Sequence, residues 1–139
     1  MATTTATITL SSSDIGDSAI SISNTATLTT AGTDTGLTET TGLARKKTNS
    51  GSNTVLLDSG AGVAADVTAD KAAKVYIKNI NDRGDGTKFV NILLTAVEIG
   101  RLYGGDWMFF PWSGGSGKDI EFTASDTTET TLEYVVFYE

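Results

Sequence analysis

Asn79-Ile80-Asn81-Asp82-Arg83-Gly84-Asp85-Gly86 brings the amide and carboxylate oxygens of Asn79, Asn81, Asp82 and Asp85 close together in sequence, the ligand type a calcium loop requires. It fails the EF-hand spacing, because Arg83 would hold a ligand position and Ile92 would replace the bidentate glutamate. A looser surface calcium site from Asp82 and Asp85 is still compatible with the residue types. Arg83-Gly84-Asp85 is also the adhesion-type tripeptide, though a polar turn produces that triplet by chance as well. Gly114-Gly115-Ser116-Gly117-Lys118 resembles part of a phosphate loop, but that pattern needs Ser or Thr after the lysine and then a helix. Here Asp119 and a strand follow, so the stretch reads as a flexible hairpin connection. The chain has no histidine and no cysteine, which removes Ser-His-Asp and Cys-His nucleophilic sites and the usual zinc ligand sets. Carboxylate pairs of the glycosidase kind are open in principle. The Asp and Glu residues lie mainly in turns and at strand ends, however, where solubility accounts for them. The expectation is a non-enzymatic chain with no cofactor and no resident metal.

The remaining candidates are aromatic and basic. Trp107-Met108-Phe109-Phe110-Pro111-Trp112 is apolar throughout. Successive side chains of a strand point to opposite faces, so Trp107 and Phe109 share a face with Pro111, and Met108, Phe110 and Trp112 share the other. Both faces then need cover: one from a second layer of the same domain, the other from a partner. Tyr134, Phe137 and Tyr138 extend the argument to the C-terminal strand, because aromatic side chains are enriched at interface centres. A sugar-stacking platform is the competing use of Trp107, Phe109, Phe110 and Trp112. Arg45-Lys46-Lys47 is the only basic cluster. It reads either as a solvated turn or strand end or as a contact to an acidic patch on a partner subunit.

These residues must be positioned by strands. Threonine is heavily over-represented, glycine numbers 15 and proline 1, and β-branched threonine suits a pleated, half-exposed surface. Within 139 residues there is room for one domain that buries roughly two thirds of its unfolded surface. Ala6–Leu10, Ala19–Ser23 and Thr25–Thr29 alternate as half-buried strands, with a disordered polar arm as the alternative for residues 1–12. Ala31–Gly36 reads as a loop and Val67–Ala72 as one helical turn. Strands are expected near Leu43–Lys47 and Thr54–Leu57. Lys74–Ile80 and Thr87–Leu94 read as a hairpin across the polar turn between them, and Glu98–Leu102 and three C-terminal strands follow. The expectation is an all-β, antiparallel β-sandwich of jelly-roll type, with about nine short strands, little helix and a single domain over 1–139.

The net charge is -7, which opposes nucleic acid and anionic membranes as partners. No apolar run approaches the roughly 20 residues of a membrane-spanning helix. No secretory signal is read in Met1-Ala2-Thr3-Thr4-Thr5, and the absence of cysteine calls for no oxidising compartment.

Lys74–Asn79, the polar turn and second strand, Ile99-Gly100-Arg101-Leu102-Tyr103-Gly104-Gly105-Asp106 running into Trp107–Trp112, Asp119–Ser125 and Leu132–Glu139 together resemble small virion structural proteins of tailed bacteriophages, notably marine and cyanobacterial ones. Gly42-Leu43-Ala44-Arg45-Lys46-Lys47-Thr48 ahead of Leu56-Leu57 also fits. The likeness covers residues 42 to 139 and includes no catalytic signature. It implies a β-sandwich on a capsid or at the head–tail region, in the role of a capsid decoration (cement) protein. The implied partners are the major capsid protein or other virion proteins and further copies of the chain, a trimer being favoured. The implied location is the virion, after synthesis in the host cytoplasm. Two alternatives stand beside it. One is a fibre, collar or receptor-binding module touching glycan or host surface; the other is a carbohydrate-binding β-sandwich unrelated to phage.

Overall fold

The computed structural model describes residues 3–13, 16, 18–29, 37, 39–48, 51–59, 73–84, 88–115, 117–125 and 129–138. Eleven strands and no helix occur among them, so the chain is all-β. The expected loop at Ala31–Gly36 and helical turn at Val67–Ala72 lie outside the described residues. Two compact units divide the chain, Met1–Thr38 and Glu39–Glu139.

The first unit holds β1 (Thr3–Ser12) and β2 (Ile20–Thr29), which pair antiparallel over their whole length as a two-stranded sheet among the described residues. The alternation is as expected, with the two pieces expected at Ala19–Ser23 and Thr25–Thr29 joined in β2; Ala6 and Ile8 are half-buried as expected, whereas Leu10, Ile20 and Ile22 are exposed.

The second unit holds β3 (Glu39–Thr40), β4 (Ala44–Thr48), β5 (Thr54–Leu57), β6 (Ala73–Asn79), β7 (Phe89–Leu94), β8 (Val97–Tyr103), β9 (Trp107–Trp112), β10 (Ile120–Ala124) and β11 (Thr130–Tyr138). One sheet runs β5-β10-β7-β8. The other runs β3-β11-β6-β9, with β4 continuing the β3 edge along β11. From β4 onward the antiparallel pairs are β4 with β11, β5 with β10, β6 with β9 and β7 with β8. The strands thus form one long hairpin, rolled up and closed by the β10–β7 and β11–β6 pairings. That is jelly-roll connectivity.

This arrangement corrects one expectation. β6 and β7 do not form a hairpin; they lie in opposite sheets, each with its apolar residues turned to the common core. Alternation alone cannot separate the two cases, because both put the same side chains inside. The connection from β9 to β10, read as a hairpin link, likewise crosses between sheets. The true tight hairpin is β7–β8. Its turn residues Thr95 and Ala96 have φ of 49° and 64°, a conformation usually given to Asn-Gly. Neighbouring groups hold it: Thr95 N donates to the Asp119 carbonyl at 2.9 Å, Thr95 Oγ1 to the Gly117 carbonyl at 2.6 Å, and Ala96 N to Glu121 Oε2 at 2.9 Å.

The core lies between the sheets. Val75 and Ile77 of β6, Leu132, Tyr134 and Val136 of β11 and Trp112 of β9 meet Val90, Ile92, Leu102, Ile120, Phe122, Leu56 and Leu57 from the facing sheet. Except for the adjacent Leu56 and Leu57, where the β5–β10 register shifts, their even spacing within each strand is the period of two that a half-buried sheet imposes. Between β3 and β4 the edge carries one extra residue, since Thr40 faces Phe137 while Ala44 faces Tyr134. Gly42, at φ 68°, takes the left-handed conformation of such a bulge. Thr41 repairs the ladder, its N donating to the Val136 carbonyl and its Oγ1 accepting from Val136 N.

At the end where β5 leaves, Asp119 ties three connections together. Its Oδ1 accepts from Ser59 N at 2.9 Å and from Ser59 Oγ at 2.6 Å, and Ser59 Oγ accepts from Lys118 N. The Ser59 side-chain and backbone hydrogen bonds, opposed by some desolvation, hold the Asp119 carboxyl below its ordinary range. A lowered native pKa adds stability above the unfolded value of about 3.9 and loses it as pH falls through the native value. Asp119→Asn is therefore expected to lower the melting temperature at neutral pH, and the gap from wild type should close below about pH 4. Melting curves across pH check this; a gap that stays constant with pH would show that the charge contributes nothing.

Candidate interaction site

Residues opposite one another in an antiparallel pair share a face, so the register places every outward side chain of the β4-β11-β6-β9 sheet. Three rows cross it. Glu133, Lys78 and Trp107 form one, Val135, Tyr76 and Phe109 the next, and Phe137, Lys74 and Pro111 the third. Arg45 and Lys47 extend the face onto β4, opposite Glu133 and Thr131. The middle row is wholly apolar or aromatic and continues into Trp107, Phe137 and Pro111. The Tyr76 and Trp107 rings lie 6.3 Å apart, tilted by 33°. Trp107 is 50% exposed, and Tyr76, Phe109, Val135 and Phe137 are half-buried. Burial first, and the charge of Glu133 second, push the Tyr76 hydroxyl above its ordinary pKa, so it stays a neutral hydrogen-bonding group at physiological pH.

Charge frames this strip. Arg45 Nε and Nη2 both reach Glu133 Oε2, at 3.1 and 3.0 Å, and Lys47 Nζ reaches Glu129 Oε1 at 2.8 Å. Two members of the basic cluster thus pair with carboxylates of the chain itself. Such exposed pairs contribute little stability. Lys46 has the opposite parity, facing Leu132, and is half-buried. Lys74 and Lys78 flank the apolar row from β6 with no ion-pair partner among the described residues. On a chain of net charge -7 this face is a basic island.

The outer face of the other sheet is built differently. Arg101 covers the Phe89 ring at 3.9 Å and donates from Nε to Asn91 Oδ1, and Phe89 packs edge-on to Tyr103 at 5.7 Å. Arg83 lies 5.8 Å from the Tyr103 ring. Its aromatics are capped by the chain's own cations, whereas those of the β6–β9 face are open.

The ten residues expected at an interface therefore separate. Trp107, Phe109, Phe137, Arg45 and Lys47 lie on the open face. Trp112 and Tyr134 do not: at 3% and 7% exposure they are core residues, with Trp112 Nε1 donating to the Lys118 carbonyl at 2.8 Å. Phe110 and Tyr138 also turn inward and pack against the core. The parity of β9 was legible; that of β11, where Phe137 points out and Tyr134 and Tyr138 in, needed the register. Tyr76, Lys74, Lys78 and Val135 were not foreseen as site residues, because only cross-strand pairing brings them beside Trp107 and Phe109.

Of the ion and adhesion motifs, Asp82 and Arg83 are exposed in the β6–β7 connection, while Asp85 lies outside the described residues. A groove there of about 170 Å³ is lined by Asn79, Asn81, Asp82, Lys88, Phe89 and Glu129 among others. Asn79 is buried in its floor with both ends of its amide used, Nδ2 donating to the Leu102 carbonyl and Oδ1 accepting from Asn81 N. The groove's inner polar groups serve the fold.

Compared with known protein families and with curated proteins, the sequence matches none.

Proposed function

We propose that this chain is a non-enzymatic structural protein of a virion, a capsid decoration protein that docks on the assembled shell through the outer face of β4-β11-β6-β9. The observation that carries the reading is the open row of Val135, Tyr76 and Phe109, continued by Trp107 and flanked by Lys74 and Lys78, which have no ion-pair partner among the described residues. An apolar strip rimmed by charge is the usual mark of a protein-binding surface. The jelly roll is common to viral shell proteins and to lectins, so the fold supports the reading without selecting it. The resemblance of residues 42–139 to small virion proteins of tailed phages supports the choice of shell and of major capsid protein as partner. Binding only the assembled shell would stabilise it by mass action.

The test is the particle itself. Gradient-purified virions of the virus that encodes the chain are expected to contain it by mass spectrometry. Particles stripped of it should rebind recombinant protein and regain heat resistance. Its absence from purified particles would end this reading. The tilted Tyr76–Trp107 pair favours a second reading, a glycan-stacking surface. In that case free oligosaccharides would shift Trp107 fluorescence with no particle present.

A further inference from the structure

The β1–β2 ribbon has two unlike faces. Thr5, Thr7, Thr9 and Ser11 line one face with Thr25, Ser23 and Ser21, and the Thr7 and Thr25 hydroxyls are bonded at 3.0 Å. On the other face the rungs are Ala6 with Ala26, Ile8 with Asn24, Leu10 with Ile22, and Ser12 with Ile20. Leu10 is 56% exposed, Ile22 47% and Ile20 46%. A lone two-stranded ribbon is marginal in water, and an uncovered apolar face makes it more so.

We infer that this apolar face is covered by the same face of another copy of the chain. Three features select that occupant. First, neither strand carries an ionisable side chain although the chain's net charge is -7, so identical molecules meet here without opposing like charges. Second, the pattern is self-complementary. With Ile8–Asn24 on a two-fold axis, the large Leu10–Ile22 rung of one copy lies over the small Ala6–Ala26 rung of the other. Third, the one polar group in that central pattern, the exposed Asn24 amide, both donates and accepts, and so can pair with its own counterpart and set the register.

Ten-residue strands rising about 3.4 Å per residue offer a strip of roughly 340 Å² per copy, short of the roughly 800 Å² per partner of a stable interface. The association is therefore reversible and concentration-dependent. It does not depend on the virion reading, since it uses a different unit of the chain.

Light scattering on the full chain across a concentration series tests it. The mass should rise from 14.5 kDa toward twice that value. Leu10→Lys and Ile22→Lys should weaken the association more than about tenfold, since each would bury an unpaired charge. Thr9→Lys and Ser23→Lys, a rung on the hydroxyl face, should associate as the wild type does. All four positions are exposed, so the sandwich melting transition should not move. A wild type that stays monomeric at the highest concentration overturns the inference. So does equal loss in both pairs of variants, which would point away from the apolar face.

Discussion

Trp107→Ala and Phe109→Ala are each expected to weaken the proposed binding of the chain to a virion particle by roughly 30-fold or more, with little change in melting temperature. A buried aromatic anchor at an interface centre contributes about 2 kcal/mol or more, and each 1.4 kcal/mol is tenfold in affinity. Both side chains point away from the core, so truncation should leave the fold intact. Trp112→Ala provides the contrast. It removes a core side chain and a buried donor to the Lys118 carbonyl and should cost about 3–5 kcal/mol of stability. Lys74→Glu and Lys78→Glu should act mainly on the association rate and its salt dependence, as charges at the rim of a contact do. Sedimentation of labelled variants with stripped particles reads all of these. If Trp107→Ala and Phe109→Ala bind as the wild type does, the docking surface lies elsewhere.

The second large effect is Gly104→Ala, at a position with no chemistry of its own. The turn from β8 to β9 lies hard against the loop after β6. A Cβ on Gly104 would sit 2.5 Å from the carbonyl carbon and oxygen of Asp82 and from Arg83 N. These are backbone atoms and cannot rotate away as a side chain would. The turn itself is held, with Gly105 N donating to the Asn79 carbonyl, Asn79 N to the Asp106 carbonyl, and Tyr103 N to Asp106 Oδ2. Relieving the clash means parting two hydrogen-bonded loops, at an expected cost of about 3 kcal/mol or more. For a domain of 5–15 kcal/mol that is a large share of the total, and the melting temperature should fall by roughly 10 °C or more. Gly105→Ala next to it meets nothing within 4 Å but has φ +87°, so only backbone strain of about 1–2 kcal/mol is expected. Thermal melts of the two variants separate steric contact from strain. Equal losses would mean that the Gly104 contact yields easily.

Much of this was legible from side-chain parity. The alternation of Trp107–Trp112 foretold which three residues share each face, because a strand leaves no other choice; which face turns inward came only from the packing. The basic run Arg45-Lys46-Lys47 follows the same rule, and its middle member faces the opposite way from the other two. What parity cannot supply is the neighbour. Nothing in Lys74–Ile80 says that Tyr76 lies between Val135 and Phe109, since those partners come from strands distant in sequence. Nor could Thr95-Ala96 be read as a tight turn. Neither residue favours positive φ, and the groups that hold them there, from Gly117 to Glu121, are brought in by the fold. Gly104 was invisible for the same reason, its constraint being the backbone of another loop.

The rolled hairpin also sets an order in time. Of its four strand pairs only β7–β8 closes locally, around Thr95 and Ala96. Each further pair closes a longer span, out to Arg45 and Glu133, 88 positions apart. Closure entropy grows with span, and folds dominated by distant pairings form slowly, so the chain is expected to zip outward from that turn, with β11 seating among the last strands. Val135 and Phe137 arrive with β11 and complete the row begun by Tyr76 and Phe109. The proposed docking face is therefore expected to come into being only when folding is complete, and an unfinished chain would lack the surface with which to occupy a place on the shell.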